Sequence, residues 1–123
     1  MKKVLIVEDD PELLELEEGL LRKEYETVRA SSGEEALASI REQKPDLILL
    51  DVLLPRMSGF EVCQTLRADP ATRGIPIVML TGQDKAESLS HGFEAGADMY
   101  INKPFSARKL LAVVKAVLEK QVE

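Results

Sequence analysis

Five strand-length apolar runs, at about residues 3–8, 26–30, 46–50, 75–80 and 98–102, alternate strictly with segments whose apolar residues recur at helical spacing. The helical segments are Pro11 to Lys23, Gly33 to Glu42, Gly59 to Ala68, Asp84 to Ala95 and Ser106 to Lys120. In the last of them Leu110, Val113, Val114, Val117 and Leu118 form one stripe. Strands separated by helices cannot pair as hairpins, so the alternation predicts an α/β fold: a parallel sheet covered by helices on both faces through right-handed crossovers. Punctuation agrees. Asp10 before Pro11 has the form of an N-cap with proline at the first helical position. Ser32 with Glu35, and Asp84 with Glu87, have capping-box spacing, and Gly96 after Ala95 fits a helix-terminating glycine.

The chain has 123 residues, 45% hydrophobic and 31% charged, which suits a single domain. No repeat, low-complexity segment or linker divides it, and the eighteen residues after Phe105 are too few for an effector domain. The lone Cys63 permits no internal disulfide; it reads as a small core residue of a helix and suits a reducing cytosol. Val4-Leu5-Ile6-Val7 stops at Glu8-Asp9-Asp10, too short for a secretory h-region, and no run approaches membrane-spanning length. A formal charge of −6 without a basic patch argues against direct nucleic-acid binding. A soluble cytoplasmic protein with no membrane contact is therefore expected.

In a parallel sheet all strands run the same way, so the residues at their C-terminal ends gather on one edge, where ligands bind. Here those residues are Glu8-Asp9-Asp10, Asp51, Thr81-Gly82 and Asn102-Lys103-Pro104-Phe105. Asp51 closes the most apolar stretch of the chain, Leu47 to Leu50, and a charge there needs a partner or a task. Two carboxylates about 4 Å apart repel by roughly 4 kcal/mol at an effective dielectric near 20. Gathering Glu8, Asp9 and Asp51 therefore calls for a cation, and Mg²⁺, with its preference for oxygen ligands, suits the set. Lys103 and the Thr81 hydroxyl could take the remaining charge of a phosphoryl group arriving at Asp51.

Taken together the strand ends resemble the receiver domain of two-component response regulators, over essentially the whole chain. "VLIVEDD" is similar to the family's acidic metal-binding segment, and "PDLILLDVLLPRMSGFEV" to its phosphoacceptor segment, in which Asp51, Pro55 and Gly59 reproduce a D-x-x-x-P-x-x-x-G spacing. "IPIVMLTG" resembles the segment of the switch threonine, and "GADMYINKPF" that of the switch aromatic and the lysine. The resemblance implies a flavodoxin-like, doubly wound five-stranded sheet of order 2-1-3-4-5 with five helices. It implies that Asp9 holds Mg²⁺ directly and Glu8 through water, and that Asp51 is metal ligand and phosphoacceptor, with the Leu53 carbonyl as a backbone ligand. Thr81 and Lys103 would bind phosphoryl oxygens and Tyr100 would switch rotamer; Asp10 is left mainly a helix cap, and Lys103-Pro104 resembles the family's cis peptide.

The implied function is Mg²⁺-dependent acceptance of a phosphoryl group on Asp51 and a switched surface formed by the segments 84–95, 98–102 and 106–120. The implied partners are a sensor histidine kinase or phosphotransfer protein, and an effector protein or output domain; a phosphorylation-dependent dimer is compatible. Such a domain promotes only its own phosphorylation and dephosphorylation. One alternative is an aspartyl-phosphate-forming phosphatase, weakened because Asp51-Val52-Leu53 lacks a second acid two residues on. The other is a flavodoxin-like cofactor carrier, weakened because the acidic first strand end would repel a flavin phosphate. Met57 and Met79 read as packing residues and His91 as an exposed helix residue. Apolar Leu53 offers no polar group to guide a water toward Asp51.

Overall fold

The computed structural model describes residues 1–82 and 96–120. Five strands, β1 (Lys3–Val7), β2 (Glu26–Ala30), β3 (Leu47–Asp51), β4 (Ile77–Thr81) and β5 (Met99–Asn102), form one parallel sheet of order β2-β1-β3-β4-β5. Four helices are found among the described residues: α1 (Pro11–Leu21), α2 (Gly33–Gln43), α3 (Gly59–Ala68) and α4 (Ala107–Lys120). The helix expected from Asp84 to Ala95, its Asp84–Glu87 cap, and the residues Gln83 and His91 lie outside the described residues.

Helix starts follow the anticipated chemistry. Asp10 Oδ1 accepts the Glu12 backbone N–H at 2.9 Å with Pro11 opening α1, and Ser32 and Ser58 hydroxyls accept N–H groups from Glu35 and Glu61. The second arm of the expected capping box differs: the Glu35 carboxylate reaches the Ser31 N–H and hydroxyl, one residue before the cap. Strand ends differ slightly as well. β4 begins at Ile77 because Pro76 has no N–H to give the ladder, and it runs through Thr81; Asp51 is likewise the last residue of β3.

β1, β3 and β4 are buried on both faces, which is why they read as unbroken apolar runs. On one face Leu5, Val7, Ile48, Leu50 and Met79 meet Ala36, Ile40, Val62, Cys63 and Leu66 of α2 and α3. On the other, Val4, Ile6, Leu49, Val78, Leu80 and Ile101 meet Leu14, Leu21, Leu110 and Val114 of α1 and α4. Each such Leu or Ile contributes about 1.5–3 kcal/mol by leaving water. No helix among the described residues is long and apolar enough to cross a membrane.

The β4–β5 side of the sheet's N-terminal edge is fastened through Arg67. Arg67, in the last turn of α3, donates to the carbonyls of Gly96 (2.8 Å), Arg73 (2.9 Å) and Ile75 (2.6 Å) and to Asp98 Oδ2 (2.8 Å). Asp98 Oδ2 also accepts the Ile77 N–H at 2.8 Å, so the starts of β4 and β5 are tied together. Gly96 has φ +100°, and a Cβ on it would come within 2.8 Å of Arg67 Cγ.

Candidate functional site

The sheet order reverses between β1 and β3, and the C-terminal ends of these strands and of β4 and β5 lie along one edge of the sheet. Carboxylate oxygens of Glu8, Asp9 and Asp51 lie within 4.8 Å of one another. Glu8 and Asp51 are buried and Asp9 is exposed at the rim. Asp51 is 3% exposed; its Oδ1 accepts the Leu53 N–H at 3.2 Å and its Oδ2 stands 3.1 Å from Lys103 Nζ. The same ammonium donates to Glu8 Oε1 at 3.4 Å, while Glu8 Oε2 accepts the Asp10 N–H at 3.3 Å. Asp10 itself faces solvent as the α1 cap.

Three carboxylates and one ammonium leave a formal charge of −2. Burial, then the Asp51 carboxylate, pushes Glu8 up to about 7 despite the opposing pull of Lys103. For Lys103, burial works against the charge, but bonding and attraction to Asp51 and Glu8 prevail and its pKa is raised. An all-oxygen donor set with uncompensated negative charge is chemically suited to a hard divalent cation such as Mg²⁺.

The backbone around the pocket is tightly specified. Gly59 opens α3 directly against the end of β3, and its N–H bonds the Val52 carbonyl at 3.0 Å. A Cβ there would strike the Asp51 carbonyl oxygen and come within 2.9 Å of Val52 Cα, so glycine is required. Pro55 accepts the Met57 N–H at 2.7 Å across Arg56, which is held at φ +64°. The Lys103-Pro104 peptide is cis, and the Lys103 N–H bonds the Thr81 carbonyl at 2.8 Å.

Thr81 is buried at the end of β4 and pairs in register with Asn102, which places it on the same sheet face as Tyr100, two residues earlier on β5. Tyr100 is half-buried against the α2–α3 side of the core, and burial together with neighbouring Cys63 pushes its phenol up to about 12. The Leu53 side chain is 57% exposed beside the pocket. Cys63 is a buried core residue whose thiol burial pushes up to about 11.

These features match one family over most of the chain: residues 4–115 fit the model of the response regulator receiver domain. The chain belongs to that family. Among its relatives, the DNA-binding response regulator MtrA of Mycolicibacterium smegmatis is 44% identical over 120 residues, 97% of this chain and 51% of that protein. The alkaline phosphatase synthesis transcriptional regulatory protein PhoP of Bacillus subtilis is 45% identical over 120 residues, 97% of this chain and 49% of that protein. The receiver thus spans about half the length of these curated relatives. The crystal structure of the signal receiver domain of a signal transduction histidine kinase from Syntrophus aciditrophicus matches with TM-score 0.92 and 35% identity, covering 98% of this chain and 92% of that one. The receiver's role is that of a phosphoacceptor signalling domain of two-component systems; these likenesses favour neither the phosphatase nor the flavin-carrier alternative.

One residue of the pocket escaped the sequence analysis. Glu17 sits in the buried stripe of α1 between Leu14 and Leu21, fully buried, behind Glu8. Burial, then the Glu8 charge, pushes its carboxyl up to about 8. The signal was present: a glutamate stands where the helical period of Leu14 and Leu21 calls for an apolar residue.

Proposed function

We propose that this receiver accepts a phosphoryl group on Asp51, from a sensor histidine kinase, a phosphotransfer protein or a small phosphodonor, in a Mg²⁺-dependent reaction. The observation that carries the reading is Asp51 itself: a buried carboxylate ending the central strand, bonded at one oxygen to a backbone N–H and facing an ammonium with the other. An Asp51 oxygen would form the P–O bond as the donor's P–N or P–O bond breaks. Lys103 and the Thr81 hydroxyl would hold phosphoryl oxygens, and Glu8, Asp9, Asp51 and the Leu53 carbonyl would hold the metal. Bound Mg²⁺ would neutralise charge on the phosphoryl oxygens.

Occupancy would then shift a population rather than build a new shape. With Thr81 drawn toward Asp51, the half-buried Tyr100 ring on the same sheet face would find room to turn further inward. The responding surface would comprise the segment 84–95 together with β5 and α4. We read the chain as one cytoplasmic receiver unit. It turns over no separate metabolite and signals to an effector protein or output domain, with a dimer formed on phosphorylation as one mode. DNA contact is no part of this receiver's proposed role, since its surface charge is net negative.

The test is intact-mass measurement after incubation with acetyl phosphate and Mg²⁺. One phosphoryl group is expected on the wild type, and none on Asp51→Asn or in the presence of chelator. Equal labelling of Asp51→Asn would overturn the assignment. Beryllofluoride should perturb NMR shifts at Tyr100 and along 98–115 in the wild type, and less widely in Thr81→Ala.

A further inference from the structure

The β3–α3 loop, residues 52–58, leaves Asp51 and returns to it: the Gly59 N–H bonds the Val52 carbonyl at 3.0 Å, and α3 starts against the Asp51 backbone. Both ends of the loop are thus pinned at Asp51, and its shape is set at the tip. There the Pro55 carbonyl accepts the Met57 N–H at 2.7 Å across Arg56, whose φ is +64°. A three-residue turn with a positive φ at its centre is the rarer, strained form, and a side chain at that centre adds a cost that glycine would not. Arg56 offsets it through its side chain, with Nε 3.2 Å from Glu34 Oε2 on the first turn of α2. The next residue does the same by packing. Met57 lies over Gly33, so close that a Cβ on Gly33 would come within 3.1 Å of Met57 Cβ and Cγ and 2.8 Å of Val62 Cγ2. Gly33 has helical backbone, so it is space rather than conformation that excludes a side chain there.

Neighbouring residues of the loop therefore rest on neighbouring residues of α2. The same loop carries Leu53, whose N–H donates to Asp51 Oδ1 at 3.2 Å. We propose that the first turn of α2 is the seat of the β3–α3 loop: Gly33 and Glu34 are positioning residues that, through Met57 and Arg56, hold the Leu53 backbone against Asp51. The ion pair is largely exposed and shifts the loop's equilibrium by no more than about fivefold, so the close packing on Gly33 is the larger of the two contacts. The inference rests on reading Asp51 as the phosphoacceptor, and it adds α2 to the elements that shape that residue's surroundings.

Two readouts test this: the amide NMR position of Leu53 in the phosphate-free protein, and the rate of Asp51 labelling by acetyl phosphate with Mg²⁺. Gly33→Ala, which lifts Met57, should displace the Leu53 amide and slow labelling about tenfold. Arg56→Gly relieves the turn but frees the tip, so it should not lower the melting temperature and yet should slow labelling about threefold. Glu34→Ala should slow it equally and the double variant no further, because both remove one contact. A purely structural role predicts melting temperatures that change while the Leu53 amide and the rate stay put. That pattern in Arg56→Gly and Glu34→Ala, whose exposed side chains leave the core intact, overturns the inference even if Gly33→Ala fails to fold. A loss of about ninefold in the double variant, the product of two independent effects, overturns it as well. A wild type that takes no label overturns the acceptor reading instead, and displacement of the Leu53 amide in the variants still decides the seat.

Discussion

At the N-terminal edge of the sheet, Arg67 makes four hydrogen bonds of 2.6 to 2.9 Å, and its charged partner Asp98 closes a further bond to the Ile77 N–H. At the C-terminal edge, Lys103 meets two carboxylates at 3.1 and 3.4 Å, while Asp9 adds negative charge that no cation among the described residues pairs. Both edges collect charged groups at strand ends. At the first the charges are satisfied within the chain, so removing one costs stability. At the second the negative charge exceeds the cations among the described residues, so under the proposed metal binding removing an acid should cost binding rather than stability.

The largest effect expected from this contrast is in Arg67→Ala. Losing three carbonyl contacts and a partly exposed ion pair should cost about 3 kcal/mol in urea denaturation. Mg²⁺ affinity should stay within twofold of wild type; a parallel collapse of Mg²⁺ binding would mean that the two edges are not independent.

Gly59→Ala should follow, at about 2 kcal/mol, because the new methyl collides with the backbone of Asp51 and Val52. Unlike Arg67→Ala, it should also slow the proposed labelling of Asp51 by acetyl phosphate, since the strand end that carries Asp51 must move. Thr72→Val should cost about 1 kcal/mol: it removes the buried 2.7 Å hydrogen bond from the Thr72 hydroxyl to the Leu66 carbonyl at the foot of the Arg67 clamp. Labelling kinetics should not change.

Asp9→Asn tests the opposite edge. Relief of repulsion at this exposed rim should raise the metal-free stability by less than about 0.5 kcal/mol, while the rise in melting temperature expected of the wild type in millimolar Mg²⁺ should disappear. A metal-free stability clearly below wild type would place Asp9 with the self-satisfied groups. The smallest effect concerns Cys63. With its thiol pushed up to about 11 by burial, native protein should resist alkylation at pH 8, and urea should expose it. The fold favours the neutral thiol, so this group's contribution is complete below the ordinary value of 9.0 and is lost as pH climbs through about 11.

Much of this was legible in the chain because it depends on local periodicity and on punctuation by single residues. Alternating apolar runs and helical stripes marked all five strands and the four described helices to within a few residues, since periods of two and 3.6 belong to short segments. Parallel strands then carried Glu8, Asp9, Asp51, Thr81 and Lys103 to one edge by geometry alone, and the acids and the lysine do converge there. Strand order is a different matter. Pairing joins residues far apart in sequence, and for order 2-1-3-4-5 the sequence offered only a family resemblance, which the tertiary structure made concrete.

Two features were decided by tertiary structure alone. Arg67, in the last turn of an amphipathic helix, reads like any solvated basic residue there, and only the approach of Gly96 and Asp98 turns it into a clamp. Glu17 breaks the apolar stripe of α1 in plain view, yet a helical period says only which face it occupies. That this face lies across β1 and brings a buried carboxyl up behind Glu8 depends on how helix packs on sheet, a contact between elements that no local pattern encodes.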